Sequence, residues 1–91
     1  MSFLNNWREG VVVGVRPNDV ILGIGEHQAE VVAIEKLGFE SHVHLTFEGE
    51  GLVARIEGDL PQESLVSFSF QREYHFDKDD GSRLLDSEKS V

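Results

Sequence analysis

The stretch from Ser41 to Glu57, SHVHLTFEGEGLVARIE, constrains the fold more than any other. Val43, Leu45 and Phe47 alternate with His42, His44 and Thr46. After Glu48-Gly49-Glu50-Gly51 the alternation resumes, with Leu52, Ala54 and Ile56 on one face and Val53, Arg55 and Glu57 on the other. A period of two, interrupted by glycine and acidic residues, is the pattern of a half-buried antiparallel hairpin. With residues 48–51 as the loop, Phe47 faces Leu52, Leu45 faces Ala54 and Val43 faces Ile56. A slip of one residue would carry all of these side chains into water, so the faces are strongly specified.

The rest of the chain supplies partners for this hairpin. Val11 to Arg16 is rich in valine, which favours a strand, and Pro17, lacking an N–H for a ladder, ends or bends it. Asp19 to Leu22 reads as a short extended piece and Gly23-Ile24-Gly25 as a turn. Ala29 to Leu37, AEVVAIEKL, fits an amphipathic helix or a strand. Three of its nine residues are Val or Ile and glycines bound it, which favours the strand. Gly38 marks a turn into the hairpin and Gly58-Asp59-Leu60-Pro61 another turn. Val66, Phe68 and Phe70 alternate with Ser67, Ser69 and Gln71, and Tyr74 to Phe76 is a last short strand. Residues 1–10 lack a period and read as a covering segment or strand fragment. Residues 11–76 form the domain, and residues 77–91 a polar, frayed tail anchored by Leu84 and Leu85. About six short strands, Gly-containing turns and no clear helix predict an all-β fold, a small partly open OB-like barrel.

Composition narrows the function. The 91 residues make one domain with a thin core. Without cysteine there is no disulfide, thiolate metal site or cysteine nucleophile. No apolar run approaches the roughly 18 residues of a membrane span. MSFLNNWREG lacks the basic-then-apolar order of a signal peptide, so a cytoplasmic place is expected. Eight basic against seventeen acidic residues leave a net charge of −9, which argues against nucleic acid and anionic membranes as partners. The basic residues are scattered along the chain, with no basic patch interleaving the aromatics.

Few residues suggest chemistry. His42 and His44 share a strand face, and His27 or His75 would be a third metal ligand. Cross-strand pairing on a solvated face, His42 with Glu57 and His44 with Arg55, is the favoured reading. Arg16 reads as a structural anchor pairing with Asp19 or another acid, in preference to an anion site. Gly23-Ile24-Gly25 lacks the third glycine and the helix of a dinucleotide fingerprint. Asp77-x-Asp79-Asp80-Gly81 lacks the closing glutamate of a calcium loop. No catalytic residue, metal or cofactor is expected. Phe47, Phe68 and Phe70 read as core. Phe39, after a turn glycine, and Trp7, outside the regular strands, are candidate anchors for a partner.

Four segments also resemble a known family. Gly14-Val15-Arg16-Pro17-Asn18-Asp19-Val20 resembles its GVRPEDV motif. Glu35-Lys36-Leu37-Gly38-Phe39-Glu40 with Val43-His44-Leu45 is similar to ERLGSE…VHL. Leu52-Val53-Ala54-Arg55-Ile56 with Gly58-Asp59-Leu60-Pro61 is similar to LVARVPGDLP, and Phe76-Asp77 with Gly81 and Arg83-Leu84 to FDAETGERL. Order and spacing resemble the TOBE-type (transport-associated OB-like) regulatory domain of ATP-binding subunits of ABC importers, especially the sugar and glycerol-phosphate group. The resemblance runs from about Gly14 to Leu84. It implies an OB-like barrel, a cytoplasmic place beside the inner membrane, and a homodimer that can receive a regulatory protein. Trp7, Arg16 and Phe39 are then candidate partner or dimer contacts.

The chain departs from the family in ways that shape the expectation. It has no phosphate loop and no LSGGQ-type signature, so it should not hydrolyse ATP, and it is either an excised domain or a free-standing relative. Gly14 follows Met1-Ser2-Phe3-Leu4-Asn5 closely, so the first barrel strands are expected to be shortened or absent. Gln62-Glu63-Ser64-Leu65 stands where the family commonly has a turn glycine. The run from Phe70 to Phe76 is about two residues short, a shift that leaves side chains on their own faces. The leading expectation is a non-catalytic regulatory and dimerisation domain. A small-ligand barrel for an oxyanion or sugar is the alternative, though it lacks the Ser-Ala-Arg-Asn motif of molybdate-binding relatives. A nucleic-acid-binding OB barrel is third.

Overall fold

The computed structural model describes residues 1–84. Leu85, expected to help anchor the tail, lies outside the described residues. Among the described residues seven strands form, β1 (Ser2–Arg8), β2 (Val11–Val15), β3 (Val20–Lys36), β4 (Ser41–Phe47), β5 (Glu50–Ile56), β6 (Leu65–Phe70) and β7 (Tyr74–Asp77), with a 3-10 turn at Pro17–Asp19. They make two antiparallel sheets, one ordered β1-β2-β7 and the other β5-β4-β3-β6. The fold is all-β and barrel-like but partly open. Leu4, Val13 and Val15 of the first sheet and Val20, Ala29, Val43, Leu45, Phe47, Leu52, Ala54 and Phe68 of the second form one buried cluster between them.

The central hairpin keeps its faces and changes its register. Leu45 pairs with Leu52 and Val43 with Ala54, while Phe47 pairs with Glu50. The loop is therefore Glu48-Gly49 alone. Both residues have positive φ, 53° and 79°, as a two-residue hairpin turn of the mirror-image type requires. The four-residue loop is thus corrected by two positions, which preserves the buried side chains because the strand period is two. In the same correction His42 pairs with Arg55 and His44 with Val53.

The N-terminal segment, expected as a covering segment or strand fragment, is a strand of seven residues. Leu4 is wholly buried against Val13 and Val15, so residues 1–10 belong to the domain body. β1 pairs with β2 through Ser2, Phe3 and Leu4 and again at Arg8, with an irregularity between. There the backbone N–H groups of Asn5 and Asn6 donate to the Glu50 carboxylate at the start of β5, each at 2.8 Å. One side chain thus satisfies two donors left by the irregular ladder and ties the two sheets together.

These donors hold the Glu50 carboxyl below its ordinary value, that of Asn5 contributing most and that of Asn6 next. A carboxylate depressed in the folded state stabilises above its unfolded pKa, and that contribution disappears as pH falls through the folded one. Glu50→Gln is expected to lose about 1 kcal/mol or less at neutral pH, because the site is solvated, and to flatten the acid limb of the stability curve. Urea midpoints across the acid range measure this. An unchanged acid limb would show that Glu50 does not link the sheets.

Within residues 19–37, expected as two extended pieces around a turn, Val20–Lys36 form one strand of 17 residues with an interruption. Leu22 and His27 both pair with Phe68, so residues 23–26 bulge out while β6 runs straight past. Residues 78–84, the described part of the expected tail, also depart from a frayed segment. Asp77 Oδ1 accepts the N–H groups of Asp79 and Asp80, and Asp80 Oδ1 that of Ser82. These turns send the chain back along β7, where Leu84 N–H donates to His75 O at 2.8 Å and Arg83 bridges to Phe76.

Candidate functional site

The three candidate contact residues lie in three different places. Trp7 is half-buried at the mouth of an aromatic cluster, its ring 5.4 Å from His27 and 5.5 Å from both Phe47 and Phe70. The Arg8 guanidinium covers it at 4.2 Å. Trp7 therefore has a packing role within the chain.

Phe39 stands at the tip of the β3–β4 hairpin. Its turn is closed by Leu37 N–H donating to Glu40 O at 2.8 Å, with Gly38 in the left-handed region. Phe39 is 82% exposed, and Val32, Ile34 and Leu37 leading up to it are exposed too. This strip also carries a free backbone edge. β6 pairs with β3 only as far as Glu30 opposite Leu65, and Val31 N–H still reaches Ser64 O. Beyond that point β3 has β4 on one side and, among the described residues, no strand on the other.

Arg16 follows the end of β2. Among the described residues its guanidinium forms no ion pair with Asp19. The Asp19 N–H instead donates to Arg16 O at 2.9 Å, and Asp19 Oδ2 is buried without a hydrogen-bond partner among those residues. The Arg16 guanidinium lies over the Tyr74 ring at 5.1 Å. Arg72 and Arg83 reach the same ring, at 5.7 Å and 4.7 Å. Basic residues scattered in sequence are therefore gathered in space beside aromatic rings. The signal was available only through the β2–β7 register, which sets Gly14 opposite Tyr74.

The histidines do not converge. His42 lies 3.4 Å from Glu40 and His44 3.7 Å from Glu35, both on the outer face. His27 is in the aromatic cluster. His75 Nε2 is 2.9 Å from Glu73, which also pairs with Arg8 at 3.1 Å. Among the described residues no three His, Asp or Glu side chains gather to hold a metal ion.

An open groove of about 730 Å³ runs between the start of β3, the end of β5 and the turn that follows, with Val20, Leu22, Ile56 and Leu60 in its wall. Its one guanidinium, Arg55, is held by Glu40 at 2.8 Å and by Glu57, which keep it above its ordinary pKa and neutralise it. An oxyanion has little to bind there. Among the described residues no helix is long and apolar enough to cross a membrane. Comparison with protein-family models and with curated proteins found no match.

Proposed function

We propose that the chain is a non-catalytic regulatory and dimerisation domain of the TOBE type, working beside the ATPase subunit of an ABC importer for a sugar-type solute. Cytoplasmic residence, next to the inner membrane through the transporter, belongs to the same proposal. The sequence motifs support it, and the all-β, partly open architecture is compatible with it. The observation that carries it is the exposed tip of the β3–β4 hairpin. There a free backbone edge coincides with Val32, Ile34, Leu37 and Phe39. Unpaired strand edges flanked by apolar side chains are templates for another strand. A second copy is the simplest occupant, because an apolar strip is where two chains of charge −9 meet with least repulsion. Pairing of this kind would fix the distance between two attached ATPase domains and so bias their closure.

Light scattering on the chain alone tests the reading. A dimer is expected at high micromolar concentration, with Val32→Glu or Phe39→Ala shifting it to monomer by at least about tenfold in dissociation constant. A strict monomer at that concentration would falsify the dimerisation role. A dimer untouched by either substitution would move the interface away from β3.

A further inference from the structure

The partly open barrel leaves a seam. The larger sheet ends in β5 on one side and β6 on the other, and no ladder joins these two strands among the described residues. The groove of about 730 Å³ lies at this seam. The end of β5, the turn that follows and the start of β6 line it, with the first residues of β3 beside them. Its wall continues the core. Val20 is buried, and Leu22, Ile56 and Leu60 are partly buried and packed against the central cluster. Leu65, also in the lining, is 58% exposed. The chain thus leaves apolar surface open to water in a cleft of the size that ligands fill.

The charges of the groove decide what kind of ligand. Arg55 is the one cation in its lining, and Glu40 and Glu57 hold it. Asp59 and Glu63, on the turn, are exposed, and their carboxylates accept no hydrogen bond and make no ion pair among the described residues. Three carboxylates therefore stand in the lining against one guanidinium that is already paired. In a chain of charge −9 such a groove repels anions and attracts cations. A second copy of the chain, acidic itself, is a poor occupant.

An extended basic segment meets both the apolar wall and the open acids. Successive side chains of a strand point to opposite faces. A segment that alternates apolar and basic residues sets the apolar ones on Leu22, Ile56 and Leu60 and leaves its cations near Asp59 and Glu63. Long lysine and arginine stems add apolar contact while their heads stay in water. β5 and β6, each in a ladder on one side only among the described residues, offer backbone groups to a further strand. We propose that this groove binds a basic, partly apolar peptide segment of a partner protein, extended along the seam. The site lies away from the β3–β4 tip and does not depend on the dimerisation reading.

The test is an NMR titration of the isotope-labelled full chain with the end-blocked peptide Lys-Val-Arg-Val-Lys-Val. Hexalysine carries the charge alone, Glu-Val-Glu-Val-Glu-Val reverses it, and spermidine is a small cation. The expected result is a saturable shift of the Leu22, Ile56 and Leu60 amides with the first peptide, at least about tenfold tighter than with any of the other three. Asp59→Asn with Glu63→Gln should weaken that binding by about three- to tenfold, the range of two solvated charge pairs. Glu48→Gln, an exposed acid in the turn at the other end of β5, should leave it unchanged. Hexalysine or spermidine binding as tightly as the peptide would reveal general attraction of cations to an acidic chain and overturn the proposal. Equal binding of the acidic peptide, a double variant that titrates like the parent, or no saturable shift would overturn it too. Retained amide dispersion in the double variant shows that a loss of binding is not a loss of fold.

Discussion

Gly25→Ala is expected to be among the most damaging single substitutions in the chain. A Cβ at residue 25 would lie 2.0 Å from Phe68 O and 2.4 Å from Phe68 C, both backbone atoms that cannot swing aside. Ser69 Cβ would be 2.8 Å away, and φ is +142°, a conformation open almost only to glycine. Overpacking costs about 1–3 kcal/mol and a strained backbone conformation about the same. Together they approach the roughly 5–10 kcal/mol that holds a domain of this size folded. Gly23→Ala provides the comparison. Gly23 has φ of +94° with nothing within 4 Å of an added Cβ, so only the dihedral term applies there, about 1–2 kcal/mol. Urea denaturation of the two variants separates the terms. Equal losses would mean that the bulge moves away from β6 and that the close approach is not needed.

The bulge also shows what the sequence could and could not reveal. Gly23-Ile24-Gly25 is legible as a break, since two glycines in three residues interrupt any strand. That the strand resumes in the same sheet, with Leu22 and His27 both facing Phe68, depends on β6, about forty residues later in the chain. Local residues cannot specify a partner at that separation. The hairpin loop is a similar case. Alternation fixed which side chains are buried, but Glu48-Gly49-Glu50-Gly51 offers two closures that differ by two residues and bury the same side chains. The tighter one prevails even though it places Glu48, which has a Cβ, at φ of 53°. It also frees Glu50 to open β5 and accept the Asn5 and Asn6 donors, a tertiary reason invisible to any window of sequence.

The candidate site was legible in the same uneven way. Phe39 after Gly38 read correctly as a residue on a turn, and the structure leaves it exposed. Trp7 lacked any periodic context, yet it is held among rings contributed by β3, β4 and β6. Arg16 was singled out for its place beside Pro17 and Asp19, but its neighbours are Tyr74, Arg72 and Arg83 from the far end of the chain. Net charge, the argument against anionic partners, is a sum over the whole surface.

Phe68 is where these threads meet, and Phe68→Ala is the second large effect expected. Phe68 has no exposed surface and is the largest fully buried side chain. Its ring lies 5.0 Å from Phe47, 5.3 Å from Phe70 and 5.5 Å from His27, and its backbone faces both ends of the bulge. Truncating a core phenylalanine costs about 3–5 kcal/mol, partly for the transfer lost and partly for the cavity left. Phe68→Leu keeps most of the volume and should cost about 1–1.5 kcal/mol. Phe39→Ala at the exposed tip should change the stability of the monomer by no more than about 0.5 kcal/mol. Trp7, the only tryptophan, packs on Phe47 and Phe70, both of which touch Phe68, so its emission reports the cavity directly. Urea unfolding followed by that emission should rank the three variants in this order. If Phe68→Ala lost less than about 1 kcal/mol, the cluster would be able to collapse around the gap, and the two sheets would be held mainly by Leu4, Val13 and Val15 on the opposite wall.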